Sequence, residues 1–361
     1  MSGPRRETVL VAMSGGVDSS VAAALLVERG YRVIGATMKT FCYAETPARG
    51  RTCCGLDGIM DARRVADQLD IPHYVFDMEE SFGRAVMDDF VAEYLAGRTP
   101  NPCVRCNSNT KIPDLLRRGR ALGADLIATG HYARIRRENG APPMLLRGVD
   151  ARKDQSYFLW GVPPGVLAHV DFPVGELTKP EVRDRARALG LGTAEKPESQ
   201  EICFVPTDDY TDFLADRLGP DHPALSPGRM VGPAGEELGM HGGYARYTVG
   251  QRKGLGGGFG RRLYVLGVRT ASNEVVVGDA SRLARDEVGL GDPNWLAARP
   301  SVGERLTVRL RHRGALVAAE VLSVDDAGLR LRLRPPQNAL TPGQSGALYR
   351  GETLIGGGRI R

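Results

Sequence analysis

The first 130 residues alternate between short apolar runs and longer segments with helical periodicity. Runs rich in β-branched residues predict buried strands, and segments with apolar residues three and four apart predict helices. The predicted strands are Thr8–Met13, Tyr31–Met38, His73–Asp77 and Asp125–Thr129, and predicted helices cover about 18–29, end near 69 and near 94, and cover 112–122. This alternation favours an α/β fold with a parallel sheet, whose ligands collect at the carboxyl ends of the strands.

The remainder of the chain has a different pattern. Thr178 and Glu181 form a capping box, with Pro180 in the first turn and Gly190 after the last, which predicts one more helix. From about residue 221, glycine and proline interrupt the chain without a long helical period. The final stretch contains short runs that predict antiparallel strands of a small barrel: Glu274–Val277, Arg305–Arg311, Val317–Val324 and Leu329–Leu333.

These patterns predict three domains in the 361 residues. Residues 1–205 form a parallel-sheet domain, 206–278 a small loop-rich β domain, and 279–361 a C-terminal antiparallel β-barrel. No apolar stretch approaches the length of a membrane span, and the first strand is too short for a signal sequence, so we expect a cytoplasmic protein.

The net charge and the cysteine content indicate which kind of partner and which cysteine chemistry to expect. The 48 Lys plus Arg against 43 Asp plus Glu give a formal net charge of +5, which mildly favours a polyanionic partner without identifying one. In a reducing compartment the six cysteines are not expected to form a disulfide framework. Three of them, Cys42, Cys53 and Cys54, follow the second predicted strand, and we assign them no role; Cys42 fits a small apolar filler equally well.

The segment SGGVDSS, Ser14–Ser20, follows the first strand directly and leads into a helix. We call this segment the phosphate loop. Its two glycines allow positive φ and a close approach of the backbone, and its serine hydroxyls stand beside exposed helix amides, which favours an anion site. A capped Gly-Gly turn is the plainer alternative. The segment lacks the Lys-Ser/Thr ending of a Walker A loop, so a kinase-type phosphate loop fits poorly.

Strand, SGGxDS and helix in this order resemble the PP-loop family of ATP pyrophosphatases. The resemblance implies that ATP, with Mg²⁺ on its phosphates, attaches AMP to a carbonyl-type oxygen and releases pyrophosphate. It implies ATP contacts at Ala12, Met13, Ser14, Gly15, Gly16, Val17, Asp18, Ser19, Met38 and Gly130. Taken singly, Met38 fits core packing better, and His131 in the loop TGHY fits a satisfied loop histidine.

A pair of cysteines lies in GRTPNPCVRCN, residues 97–107. Pro100 and Pro102 predict that no regular helix crosses this segment, and the spacing of Cys103 and Cys106 lets both thiols face one side of a turn. Cys203 follows in SQEICF. In the cytosol, C-x-x-C indicates metal binding or thiol chemistry more often than packing.

The segments NPCVRCN and SQEICF, the phosphate loop, LLRGVDARKDQSYFLW (145–160) and TPGQSGALY (341–349) together resemble the MnmA family of bacterial tRNA 2-thiouridylases over nearly the whole chain. The resemblance implies a tRNA-uridine 2-sulfurtransferase that adenylates the C2 oxygen of a wobble uridine and replaces it with sulfur. It implies the tRNAs for lysine, glutamate and glutamine as substrates, and a sulfur donor protein such as a cysteine desulfurase or a sulfur relay protein. It implies no DNA or membrane partner.

The resemblance places Cys106 and Cys203 together at the reaction centre. Many family members carry Asp at the position of Cys103, and there Cys203 would carry a persulfide while Cys106 releases the product through a disulfide. With Cys103 present, three thiolates and one open site suit a [4Fe–4S] cluster whose free iron holds sulfide. We favour the cluster and keep the persulfide as the alternative.

Basic residues indicate RNA contact in two regions. The strip Arg246–Arg262 has five basic residues, among them Arg252 and Lys253, and no acidic one. Two arginine triplets in the barrel have period two, so each should lie on one strand face, although a solvated face is an equal alternative: Arg309, Arg311, Arg313 and Arg330, Arg332, Arg334.

The family resemblance implies finer tRNA contacts. Residues implied to approach the target base are Asn101, Pro102, Cys103, Lys153, Asp154 and Gln155, and Arg311 and His312 are implied to contact the tRNA. His312 replaces an aromatic residue common in relatives. Two alternatives remain open: an amide-forming PP-loop synthetase, which needs no cysteine trio, and a non-catalytic RNA-binding protein with zinc on the three cysteines and His131.

Overall fold

The computed structural model describes residues 6–41, 56–197, 202–205, 209–256 and 260–361. The first domain is built on a five-stranded parallel sheet in the order β3-β2-β1-β4-β7. A hairpin of β5 and β6 leaves this sheet. The strands of this domain are β1 Thr8–Ala12, β2 Arg32–Lys39, β3 His73–Asp77, β4 Leu126–Thr129, β5 Ala133–Arg136, β6 Met144–Arg147 and β7 Val170–Asp171. The predicted parallel sheet is confirmed.

Helices cover both faces of the sheet, so β1 is buried along its whole length. Those packed on the sheet are α1 Val17–Glu28, α2 Leu56–Gln68, α5 Pro102–Arg105, α6 Ile112–Ala121 and α7 Lys179–Ala188. The helices α3 Glu79–Phe82, α4 Asp88–Leu95 and α8 Tyr210–Leu218 pack instead in a separate apolar cluster with residues of the middle domain. A π-helical stretch at Gly83–Met87 joins α3 to α4, and another at Cys106–Lys111 joins α5 to α6. No helix among the described residues is long and apolar enough to cross a bilayer.

Two local predictions about helices have opposite outcomes. The capping box of α7 is confirmed, because the Glu181 carboxylate accepts a hydrogen bond from the Thr178 amide at 2.7 Å. The expectation that prolines keep a helix out of 97–107 is wrong from Pro102 onward. Pro102 takes the first position of α5, where its missing N–H is not needed, and Asn101 caps the helix by accepting from the Val104 amide.

The middle domain holds a four-stranded sheet in the order β10-β11-β8-β9. Its strands are β8 Gly228–Val231, β9 Glu237–His241, β10 Tyr264–Arg269 and β11 Glu274–Gly278. The run Glu274–Val277, which we expected in the barrel, is therefore a strand of the middle sheet and pairs in parallel with β8. Local alternation shows that a segment is a strand but does not choose its partner.

The C-terminal domain is the predicted antiparallel barrel. Its strands are β12 Ala284–Trp295, β13 Arg305–Arg309, β14 Val317–Val324, β15 Gly328–Asn338, β16 Ser345–Arg350 and β17 Thr353–Ile360. Because β12 pairs with both β15 and β17, the sheet closes on itself. The hairpin of the first domain joins it where Leu146 in β6 pairs with Thr353 in β17.

The two arginine triplets of the barrel differ. Arg330, Arg332 and Arg334 alternate with three buried leucines, so they share an outward face as predicted. The same expectation for the triplet from Arg309 is wrong, because β13 ends at Arg309, which is buried, while the other two arginines lie in the following turn.

Candidate functional site

The segment Ser14–Gly16 forms a tight loop between β1 and α1, at the carboxyl end of the sheet. Gly15 has φ of +71°, and a side chain there would strike the carbonyl oxygen of Gly58 in α2. The Ser19 hydroxyl donates to the Gly16 carbonyl at 3.0 Å and accepts from the Ser14 amide at 3.2 Å. Helix α1 begins without a side-chain cap, so the amides of its first turn remain directed at the loop, as an anion site requires.

The neighbouring strand ends approach this loop closely. A side chain on Gly130, after β4, would place its Cβ 2.7 Å from the Ser19 amide nitrogen, so only glycine fits there. The side chains of Ala12, Met13, Val17 and Met38 are buried in the two cores of the first domain. The polar residues and glycines among the predicted ATP contacts therefore lie around one loop. The apolar residues among them are buried in the cores beneath that loop.

Two lysines from distant parts of the chain close the loop. The Lys179 ammonium donates to both carboxylate oxygens of Asp18, at 2.7 and 2.9 Å, although the residues are 161 apart in sequence. Lys196 donates to the Gly15 carbonyl at 2.9 Å and to Asp61 at 2.6 Å. Neither lysine was predicted as a site residue, and the capping box that begins α7 is the one sequence signal near Lys179.

The segment 148–156 is joined to the phosphate loop through Tyr132. The Tyr132 hydroxyl donates to Asp18 at 2.7 Å, and its amide donates to the Gln155 side-chain oxygen at 3.0 Å. The Gln155 amide returns a bond to the Tyr132 carbonyl at 2.8 Å. Lys153 is half-buried beside it. Gln155, which is implied to approach the target base, is therefore linked to Asp18 of the phosphate loop through a single residue, Tyr132.

Asp154 has an interior position. Its carboxylate is fully buried and accepts from Arg309 at 2.9 Å, from Arg147 at 3.1 Å, and from the amides of Gly148 and Ser156. Because both oxygens are occupied inside the protein, this carboxylate is not available to RNA, and the contact implied for residue 154 stays a prediction. Asp154 fastens the segment 148–156 to strand β13 of the barrel.

The loop before the cysteine pair is held by contacts from the middle and the C-terminal domains. The Gln344 side-chain amide donates to the carbonyls of Thr99 and Pro100, each at 3.0 Å. The Thr99 hydroxyl lies 2.9 Å from that of Thr248 in the middle domain. A side chain on Gly343, which has φ of +91°, would collide with the Thr99 backbone. These contacts explain why the tail motif TPGQSGALY accompanies NPCVRCN.

Cys106 and Cys203 come together on one apolar cluster, whereas Cys103 does not. Both are half-buried and pack against the cluster that contains Phe82, Phe90 and Phe204. Cys103 lies one turn earlier on α5 and is exposed. Cys106 also begins the π-helical stretch, a distortion that is frequent at functional sites. Cys42, Cys53 and Cys54, which were assigned no role, lie outside the described ranges.

The described residues contain no preformed site for the expected iron–sulfur cluster, which stays a prediction. In the described part of the chain, no three Cys, His, Asp or Glu side chains are placed to hold a metal ion, and Cys103, Cys106 and Cys203 are all described. His131 does not complete a zinc site either. It is buried beside Phe172 and Thr129, and burial, helped by the charge of Lys111, holds the pKa of His131 well below its usual value.

Of the residues implied to contact tRNA, His312 is linked through Phe158 to the segment that holds Cys106. The ring of His312 packs on that of Phe158 with centroids 4.4 Å apart, and the Phe158 carbonyl accepts from Asn107, which follows Cys106. Burial, followed by the charges of nearby arginines, lowers the pKa of His312, which favours the neutral ring. Arg311 is exposed, and so are Arg252 and Lys253 of the middle domain.

Family models match the three parts of the chain in order. A model described as a tRNA methyl transferase HUP domain covers residues 7–207, a PRC-barrel domain model covers 211–279, and an aminomethyltransferase β-barrel domain model covers 285–360. Among solved structures, NMN synthetase from Francisella tularensis matches 60% of this chain and 73% of its own at 16% identity, with a TM-score of 0.35, which is too low to carry an argument.

Curated relatives match over the full length. The tRNA-specific 2-thiouridylase MnmA of Geotalea uraniireducens is 48% identical over 99% of this chain and 95% of its own. The MnmA of Geobacter metallireducens is 48% identical over 100% and 98%, and that of Rhodospirillum centenum 47% over 99% and 92%. The chain therefore belongs to the MnmA family of tRNA-specific 2-thiouridylases.

Proposed function

We propose that the protein is an ATP-dependent tRNA-uridine 2-sulfurtransferase of the cytoplasm. It would adenylate the C2 oxygen of the wobble uridine in the tRNAs for lysine, glutamate and glutamine, and then replace that oxygen with sulfur. One observation carries the proposal: a preformed anion loop and two cysteines on one apolar cluster occupy the same domain, with segments 99–101 and 148–156 beside them.

The first step follows from the chemistry of uracil. Its C2 oxygen is a poor leaving group, so a sulfur nucleophile cannot displace it directly. Attack of that oxygen on the α-phosphorus of ATP releases pyrophosphate and converts the oxygen into a phosphate ester of AMP, which then leaves readily. The amides at the start of α1 and the hydroxyls of Ser14 and Ser19 suit the binding of phosphate oxygens.

Magnesium would arrive with the nucleotide. The carboxylates nearest the loop, Asp18 and Asp61, each accept from a lysine, and no described group of three side chains can hold an ion alone. Mg²⁺ usually binds through one or two carboxylates together with substrate phosphates, and this donor set fits that mode. Bound there, it would neutralise the triphosphate.

For sulfur transfer we propose the persulfide route on Cys203. The terminal sulfur attacks C2 and AMP leaves with the oxygen. The Cys106 thiolate then attacks Sγ of Cys203, which breaks the persulfide bond, leaves sulfur on the uridine and forms a Cys106–Cys203 disulfide that an external thiol must reduce. The shared position of the two cysteines and the exposure of Cys103 support this route over the cluster.

The tRNA surface would extend over all three domains. Arg252 and Lys253 of the middle domain and Arg311 of the barrel are exposed cations that can contact phosphates, and segments 99–101 and 148–156 would receive the splayed uridine. A cysteine desulfurase or a sulfur relay protein would load Cys203.

A reconstituted reaction tests the proposal. Purified protein, ATP, Mg²⁺ and a cysteine desulfurase with its substrate should form 2-thiouridine in a lysine tRNA transcript, with one AMP and one pyrophosphate per thiouridine. The matched control is the same transcript with cytidine at the wobble position. Pyrophosphate release without any thiouridine would favour an amide-forming synthetase instead, and RNA binding without ATP turnover would favour a non-catalytic protein.

A further inference from the structure

The phosphate loop carries no cation of its own. Between Ser14 and Ser20 its one charged residue is Asp18, whose carboxylate would repel a triphosphate. The chain has six lysines against 42 arginines, and two of these six contact the loop. A protein that uses arginine almost everywhere else therefore uses lysine at this place.

Lys179 is built into the floor of this loop. It is the first residue of α7, and its amide donates to the Asp150 carboxylate at 3.0 Å, which fixes the start of the helix. Its side chain is 8% exposed, and its ammonium lies 5.7 Å from the centroid of the Tyr132 ring. The partner carboxylate of Asp18 is 31% exposed, so the ion pair lies at the boundary between the protein interior and the open loop.

A lysine suits an exchange of partners. Its compact ammonium has three donors on a flexible stem, whereas a guanidinium holds a carboxylate in a rigid two-point fork. The ammonium can therefore keep one bond to Asp18 and give another to a phosphate oxygen. Such a bond strengthens as negative charge accumulates on the leaving pyrophosphate.

We propose that Lys179 is a catalytic cation for adenylation. When ATP binds, its ammonium gives up the hydrogen bond to one Asp18 oxygen and donates instead to an oxygen of the β- or γ-phosphate. The inference rests on the proposed adenylation of uridine. As the bond from the α-phosphorus to the bridging oxygen breaks, its electron pair passes to pyrophosphate. The Lys179 ammonium stabilises that charge.

The first test compares ligands. Lys179→Met should weaken the binding of ATP and of pyrophosphate by at least about tenfold, measured by titration calorimetry with and without Mg²⁺, and leave AMP binding unchanged. Lys179→Arg should recover part of the loss. The matched control is Arg185→Met on the same helix, which removes an ion pair with Glu28 of α1 and should change no affinity.

A second comparison separates phosphate binding from mere neutralisation of Asp18. Lys179→Met leaves Asp18 without its cation and can impair folding, so Asp18→Asn is compared with Asp18→Asn/Lys179→Met, in which no carboxylate remains to be neutralised. The double variant should bind pyrophosphate at least about tenfold more weakly than the single variant. Equal binding would overturn the inference. If the wild-type protein binds neither ATP nor pyrophosphate, the proposed adenylation itself fails.

Discussion

The phosphate loop and the cysteine centre, which consists of Cys106 and Cys203, lie in the same domain. They differ in how far their functional groups are held in place by other residues. At the loop the side chains of Asp18 and Ser19 already have partners within the protein, and two lysines more than 150 residues away contact the loop. At the cysteine centre, Cys106 and Cys203 share an apolar cluster, while Cys103 is exposed. The difference fits two kinds of chemistry: stabilising a leaving pyrophosphate depends on fixed dipoles and charges, whereas sulfur transfer needs thiols that a donor protein and a tRNA can both reach.

The largest effect is expected when the sulfur nucleophile is removed and the phosphate loop is left intact. Cys203→Ser should reduce 2-thiouridine formation on the order of a thousandfold or more, because no other group can carry the sulfur. Its ATP binding and tRNA-dependent pyrophosphate release should persist. Both are measured in one reaction by nucleoside mass spectrometry and a pyrophosphate assay.

The control for that variant is Cys103→Ser, which should keep most thiolation activity under anaerobic conditions. If instead it loses all activity, and the wild-type protein reconstituted without oxygen binds about four irons, the three cysteines hold a cluster and our persulfide route is wrong.

The complementary change disables the loop and leaves the cysteines intact. Asp18→Ala should lower adenylation by about 10²- to 10³-fold, because it removes the carboxylate that positions Lys179 and Tyr132. Loading of Cys203 with persulfide should be unaffected, as measured by mass spectrometry after alkylation. Normal thiolation at saturating ATP would contradict the assignment of this loop.

Asp154 tests the connection between the barrel and the segment beside the loop. Asp154→Ala leaves the buried Arg309 without its carboxylate and should destabilise the protein by about 3–5 kcal/mol, measured by urea unfolding. The exposed pair of Arg299 and Asp326 provides the control, since Asp326→Ala should change stability by about 0.5 kcal/mol or less. Similar effects of the two changes would remove Asp154 from the interior role given to it here.

Gln344→Ala should affect the cysteine side and spare the loop. It leaves the carbonyls of Thr99 and Pro100 without their donor, at a cost of about 1–3 kcal/mol. We expect a lower kcat/KM for thiolation with unchanged ATP affinity. An equal loss of ATP affinity would show that the two regions are not separable.

The smallest effect is expected at the tRNA surface. Replacing Arg252 and Lys253 by alanine should weaken tRNA binding and lower the slope of log affinity against log salt by about one unit per lost phosphate contact. Arg185→Ala, in the first domain, is the control. An unchanged slope would place the RNA-binding surface elsewhere.

The sequence predicted local features with a short-range cause. The parallel strands, the glycine-rich loop that begins α1 and the capping box of α7 follow from periodicity, glycine geometry and capping within a few residues. The prediction for Pro102 failed because the position of proline within a helix matters more than its presence, and a capping Asn101 allowed the helix to begin there.

The amino-acid pattern was enough to predict a parallel sheet with a glycine-rich loop after its first strand, and an antiparallel barrel at the end of the chain. The long-range partners became visible only in the folded chain: β11 pairs with β8, Asp154 is buried against Arg309, and Lys179 and Lys196 reach the loop. Strand pairing and buried ion pairs depend on which surfaces meet across the fold, and a residue's own neighbours in sequence carry little information about a distant partner.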